Sequence, residues 1–356
     1  MIEMPEALTL ARQMHAAFAG HVIVEAEANH SPHKFAFYTG DPATYGARLD
    51  GRRVEAVKAT GPYVELALDD GMTLLLREGV NARLLDAGAK TPAKHQLLLA
   101  FENGARLVCT AAMYGMFLIA DTGADDDAYY VAARDCVPVL SDAYDGGRFR
   151  ALVEAAPAST SAKALLATEQ RIPGIGNGVL QDILFNAGIN PKTKVHALDD
   201  EDTARLFRAM KDTLAAMVEE GGRDVERDLY GNPGGYRCLL SANTWKDGCP
   251  VCHGAIERKP YLAATCTTAP SASRCRSTRA ATLRSVHCAC RSGRVSWTPV
   301  NRSGRNTMDA RSTGTLIRSL REERGLTQRQ LADALGVTDK AVSKWERGGG
   351  CPTSSF

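Results

Sequence analysis

A switch in hydrophobic period constrains this chain most. From His21 to about Val139 the apolar residues alternate with polar ones in short runs broken by turn residues, as in "HVIVEAEA", "YVELALDDGMTLLLREG" and "HQLLLAFENGARLVCTAAM". A period of two places alternate side chains on opposite faces of a strand, and Asp70-Gly71 and Asn103-Gly104 are turn pairs for hairpins. From about Ser141 the runs lengthen and the period becomes helical: "SAKALLATEQRI", "GVLQDILFNAG" and "DDEDTARLFRAMKDTLAAMVEEGG". "PEALTLARQMHAAFAG" ahead of the strands is also helical, with Leu8, Ala11, Met14 and Phe18 on one side and Gly20 as its stop. The reading is therefore α+β: one N-terminal helix, an antiparallel β-sandwich over residues 1–140, then a helical domain over 141–235.

Charge is uneven along the 356 residues. Residues 1–262 hold 27 Lys and Arg against 35 Asp and Glu, a net of −8, whereas residues 263–307 hold eight arginines, no lysine and no acid. An acidic body argues against a broad non-specific DNA-binding face and leaves room for a local basic groove. There is no run of 18 apolar residues and no basic segment leading into an apolar one, so a cytoplasmic protein without a membrane partner is expected. In "SPHKFAFY" and the histidine before it, core packing around a satisfied ring is favoured over a metal role for His30 or His33.

In "RIPGIGNGVLQDILFNAG", glycines lead straight into an apolar-periodic helix. Unpaired amides at such a helix start form a seat for phosphate. An ordinary packing corner between helices has the same spacing. The stretch "LATEQRIPGIGNGVLQDILFNAGINP" resembles the helix–two-turn–helix element of the formamidopyrimidine-DNA glycosylase and endonuclease VIII family. "MPEAL" near the start, "GGRD", "GNPGGYR" and a later "CPVC" follow in the family's order, so the resemblance covers roughly residues 1–262. It implies a DNA-repair glycosylase and AP lyase acting on duplex DNA with a damaged or abasic site. Gly174, Gly176 and Asn177 would hold the phosphate beside the damaged nucleotide, with Arg171 as a further DNA contact.

The family's reaction uses an N-terminal proline amine that attacks the sugar and forms a Schiff base before β-elimination, assisted by a neighbouring glutamate. The residues matched to these roles are Pro5 and Glu6. In "MIEMPEAL" the Pro5 nitrogen is an amide and has no nucleophilic lone pair. Two readings follow: a start at Met4 that frees the Pro5 amine, or a start at Met1 that blocks it. Pro62 aligns with the family's hairpin lysine, making Lys58 the nearest base and the third catalytic candidate. Arg77 and Val80 fall where the family has its void-filling motif. Three function classes are carried forward: the glycosylase and lyase, a non-catalytic protein binding damaged DNA, and a transcriptional regulator acting through the C-terminal module.

A family finger binds Zn2+ through two C-x-x-C pairs, but after Cys249 and Cys252 the chain runs into "AATCTTAPSAS". One shift of reading frame after Leu262 permits "GGNVYYCPKCQ", with cysteines at the positions of Ala269 and Ala272. Residues 236–262 are read as the first half of a zinc finger and 263–307 as a disordered basic segment produced by that shift. With half the ligands, this chain is not expected to hold the ion. From Met308, "STGTLIRSLREERGLTQRQLADALGVTDKAVSKWERG" resembles a Cro or phage-repressor helix–turn–helix, truncated at residue 356. Thr327 and Thr338 would cap its helices. Gln328 would lie near phosphate, and Asp339, Lys340, Ser343 and Lys344 would face the major groove.

Overall fold

The computed structural model describes residues 2–112, 114–121, 127–262 and 264–268, and in the C-terminal part 318, 321, 327–335 and 339–347. The chain divides into two compact units, Met1–Ala289 and Cys290–Phe356.

In the first unit, helix α1 spans Met4–Phe18 and is followed by strands β1 (Ile23–Ala28) and β2 (Ala36–Tyr38), the short helix α2 (Tyr45–Leu49), and β3 (Val54–Thr60). The strands continue as β4 (Tyr63–Leu68), β5 (Thr73–Arg77), β6 (Val80–Leu85), β7 (Leu97–Phe101), β8 (Arg106–Ala111) and β9 (Gly115–Ala120). They form two sheets, one ordered β1-β7-β8-β6 and one β2-β9-β5-β4-β3. Leu66, Leu74, Leu76 and Phe117 of one sheet share a core with Leu97, Leu99 and Leu107 of the other, and β4 and β5 are buried on both faces, Tyr63 and Leu75 packing with Tyr130 and Ala133. The α1 stripe Leu10, Ala11, Met14 and Phe18 closes that core.

Both expected hairpins are present: β4 pairs with β5 across Gly71 (φ +82°) and β7 with β8 across Gly104 (φ +84°). Two features differ from the sequence reading. β2 pairs parallel to β9. The described β pattern ends at Ala120, and α3 (Ala128–Asp135) follows, capped by the Asp127 carboxylate accepting from the Tyr129 and Tyr130 amides.

The helical part comprises α4 (Gly146–Ala155), α5 (Ala162–Ala167), α6 (Val179–Ala187) and α7 (Asp200–Glu219) around a core of Leu165, Leu180, Ile183, Leu206, Met210 and Leu214. Aspartates cap α4 and α7, and Gly188 at φ +65° ends α6. Strands β10 (Glu257–Tyr261) and β11 (Ala264–Thr268) form an antiparallel ribbon, which carries ordered pairing past residue 262. The expected cysteine positions 269 and 272 lie outside the described residues. No helix among the described residues is long and apolar enough to cross a membrane.

In the second unit, α8 (Gln328–Leu335) and α9 (Asp339–Glu346) are the two described helices. Thr327 and Gln330 form a reciprocal cap, the Thr327 hydroxyl accepting from the Gln330 backbone amide and the Gln330 side-chain Oε1 accepting from the Thr327 amide. Ala332 and Val342 are buried.

Candidate functional site

The start of α1 meets the "GIGN" loop. The Met4 amide donates to the Gly174 carbonyl at 2.9 Å. Glu3 and Glu6 form a capping box, in which Glu6 Oε2 accepts from the Glu3 amide at 3.2 Å. That box explains why "EMPE" starts a helix: acceptors sit at the cap and three residues on, with Pro5 in the first turn, where a missing N–H costs nothing.

Glu3 reaches further than a cap. Its two carboxylate oxygens accept from the Gly178 and Val179 amides, each at 2.8 Å, at the N-terminus of α6. The first two amides at the start of α6 are thus held by a carboxylate from the chain's own third residue.

Arg223, from "GGRD", completes the cluster. Its Nε and Nη2 donate to the two oxygens of Glu6 at 2.9 Å each, and its Nη1 lies 3.8 Å from Glu3 Oε1. Glu3, Glu6 and Arg223 are all 5% exposed or less. Burial, followed by the nearby Glu6 charge, raises the Glu3 carboxyl above the usual glutamate range, against the pull of Arg223 and the two amides. The two acids hold the Arg223 guanidinium firmly protonated against the effect of burial.

Close approach fixes the glycines of the loop. Gly174 has φ +90°, and a Cβ there would lie 2.8 Å from Met4 Cβ and 3.0 Å from the Gly61 carbonyl carbon. At Gly176 a Cβ would meet the Glu3 carboxyl carbon at 2.6 Å. Gly174→Ala combines a left-handed backbone with a steric clash, and is expected to cost about 2–4 kcal/mol of stability. Thermal unfolding of that variant checks it: a melting temperature equal to that of the parent would refute the role given to this contact.

The sequence-derived candidates are placed as follows. Pro5 is buried inside the first turn of α1, with its nitrogen in the amide to Met4. Glu6 is committed to Arg223. Lys58 on β3 is 64% exposed and pairs at 3.2 Å with Glu65 directly across on β4. Asn177 stands exposed at the loop tip, and Arg171 is paired with Glu169. Arg77 does not stand clear to fill a void. It is buried between the Tyr63 and Tyr129 rings, donates to the Tyr63 hydroxyl at 2.8 Å and lies 3.6 Å from Asp127. Val80 is likewise buried in the sheet.

The sequence reading missed Ile2, Glu3 and Arg223. Ile2 is 2% exposed and belongs to the β-domain core. The signal that could have found Glu3 is its three-residue spacing from Glu6.

Cys249 is fully buried in a tight turn, where its amide donates to the Gly254 carbonyl and its carbonyl accepts from the His253 amide, both at 2.8 Å. With Cys252 it supplies two sulfur donors. The described residues therefore fit half of a tetrahedral Zn2+ site, and no step of function is routed through zinc.

In the second unit Gln328, expected at a phosphate, instead donates to Glu346 Oε2 at 2.7 Å, and Arg321 binds the same carboxylate. Ser343 is half-buried and accepts from Arg347, Lys344 is exposed, and Lys340 is the second residue of α9.

Comparison with known proteins follows the same division. A model of the formamidopyrimidine-DNA glycosylase N-terminal domain matches residues 1–113. Residues 1–113 are thus similar to that domain. A helix-turn-helix model matches residues 317–356. The formamidopyrimidine-DNA glycosylase of Cereibacter sphaeroides (strain KD131) is 29% identical over 236 residues, spanning 63% of this chain and 81% of that protein. That of Acidothermus cellulolyticus is 28% identical over 275 residues, spanning 74% and 93%. Among solved structures, the MutM (Fpg) protein of Thermus thermophilus superposes with a TM-score of 0.64 at 24% identity, covering 76% of this chain and 98% of that one. Lactococcus lactis Fpg in complex with abasic-site DNA gives 0.64 at 18% identity, covering 75% and 98%. The glycosylase-type architecture thus extends through the helical part and reaches the ribbon.

Proposed function

We propose that this DNA-repair glycosylase homologue binds duplex DNA at damaged or abasic sites, and that Pro5 is not its nucleophile. One observation carries the reading: Ile2 and Glu3 are built into the fold, with Glu3 holding both amides at the start of α6, so Pro5 stays acylated inside a helix. A tertiary amide cannot attack a sugar carbon. The homologous glycosylases and the abasic-site complex support damaged DNA as the ligand. Asn177 at the exposed loop tip and Arg171 beside it are the groups left to meet the DNA backbone. The helix–turn–helix unit adds a second DNA contact through Lys340, Ser343 and Lys344 on α9.

A second reading rests on Lys58, whose exposed amine is the remaining catalytic candidate and would give the Schiff-base lyase reaction.

Borohydride trapping on duplex DNA bearing an abasic site tests both, beside a direct binding assay. The expected result for the chain starting at Met1 is binding without a covalent complex. A trapped complex lost on Lys58→Ala would replace this reading with the lyase, and absence of any preference for abasic over intact duplex would overturn the assignment.

A further inference from the structure

We infer that Glu27, His30 and His95 form a binding site for a divalent first-row transition metal, on the β domain and separate from the cluster described above. Their ligand atoms all lie within 4.8 Å of one another. The site is built by the chain's turns. Asn29, at φ +60°, folds the chain back after β1 so that His30 returns over Glu27. The adjoining segment is stitched to that turn by Asn29 N to Gln96 O at 2.8 Å and Ser31 N to His95 O at 3.0 Å. Gln96 Nε2 also donates to the Ser31 carbonyl at 2.7 Å. The result is a two-histidine, one-carboxylate set held by backbone pairing.

Hydrogen placement makes the case. His95 is 2% exposed, and its Nδ1 lies 2.9 Å from the Pro92 carbonyl oxygen. A carbonyl only accepts, so Nδ1 carries the hydrogen, and Nε2 faces Glu27 Oε2, 3.4 Å away. His30 Nδ1 meets the other carboxylate oxygen at 2.8 Å. The two imidazoles are stacked at 4.3 Å with an interplanar angle of 9°, which brings a nitrogen of each to the one carboxylate. One divalent ion satisfies both nitrogens and the carboxylate together.

The His95 Nδ1–H to a backbone carbonyl is the outer contact by which metal-binding histidines are oriented. Tetrahedral donors at about 2.05 Å from zinc lie roughly 3.3 Å apart, so the set closes when the exposed His30 ring turns out of its stack on His95. Three protein ligands leave one position open to solvent or to an exchangeable anion.

Metal titration of the full-length chain tests the site, with zinc followed by direct metal analysis and Co2+ by absorption. His30→Ala is expected to lower bound Zn2+ by one equivalent, or to weaken that equivalent by on the order of 10- to 100-fold. The Co2+ difference spectrum between parent and variant should lack a thiolate charge-transfer band, which separates this site from any cysteine site. His33→Ala, altering a neighbouring half-buried histidine outside the set, should bind as the parent does. Equal zinc content and affinity in the parent and His30→Ala, or an equal loss in His33→Ala, would overturn the assignment. His30 is exposed, so matching unfolding curves in chelator will confirm that the variants are folded.

Discussion

Replacing Arg223 by methionine is expected to destabilise the first unit by about 3–5 kcal/mol, the cost of removing one partner from a buried ionic cluster. Glu3 and Glu6 would be left as two buried carboxylates that have lost the guanidinium bridging them, the cation paired with both among the described residues. The loss should depend on pH in a defined direction. The Glu3 carboxyl already sits above the usual value of 4.5, so the folded state holds its proton more tightly than the unfolded state does. Stability from this group is therefore fully present below about 4.5 and is lost as pH rises through the folded value. Without the guanidinium that gap widens, so the Arg223→Met penalty should be largest at neutral pH and should shrink on acidification. Urea unfolding of parent and variant at neutral and mildly acidic pH measures it. A penalty below about 1 kcal/mol, or one that grows on acidification, would show that the cluster is not coupled as described.

Beginning the chain at Met4 is expected to lower stability by more than about 3 kcal/mol. The buried Ile2 side chain accounts for about 2 kcal/mol or more. Loss of the Glu3 carboxylate leaves the Gly178 and Val179 amides without their acceptor, adding about 1 kcal/mol. The Met4 start would also free the Pro5 amine, so the form able to do amine chemistry would be the less stable of the two. Denaturant unfolding of both forms decides this, and equal midpoints would mean that residues 1–3 are dispensable.

Local order was legible where it depends on near neighbours. The apolar spacing of α6 and α7, the Asp-Gly and Asn-Gly hairpins, and the Thr327 cap all come from interactions a few residues apart. The site was legible only in part. "GIGN" marked the loop, but nothing local says that Glu3 will reach residues 175 and 176 positions away. The family resemblance singles out Pro5, and the apolar spacing that follows it gives its place in a helix, whereas the capping box that fixes it escapes that reading. Arg77 matches the family's void-filling motif in sequence and is buried because Tyr63, Tyr129 and Asp127 surround it. His30 read as a satisfied histidine because its partner His95 lies on a distant segment.

Helix α6 has a consequence of another kind. One end binds the chain's third residue, and Asp182 within it accepts the Leu239 and Leu240 amides, each at 2.8 Å, as the chain leaves for the ribbon. During synthesis the first turn of α1 must wait, without its partner, until residue 179 has left the ribosome. Closing a loop of that length adds only a modest entropic cost, but it delays the step. A nascent chain stalled before α6 would carry a β domain with its leading edge undocked, and α6 would be the segment whose arrival joins the two halves.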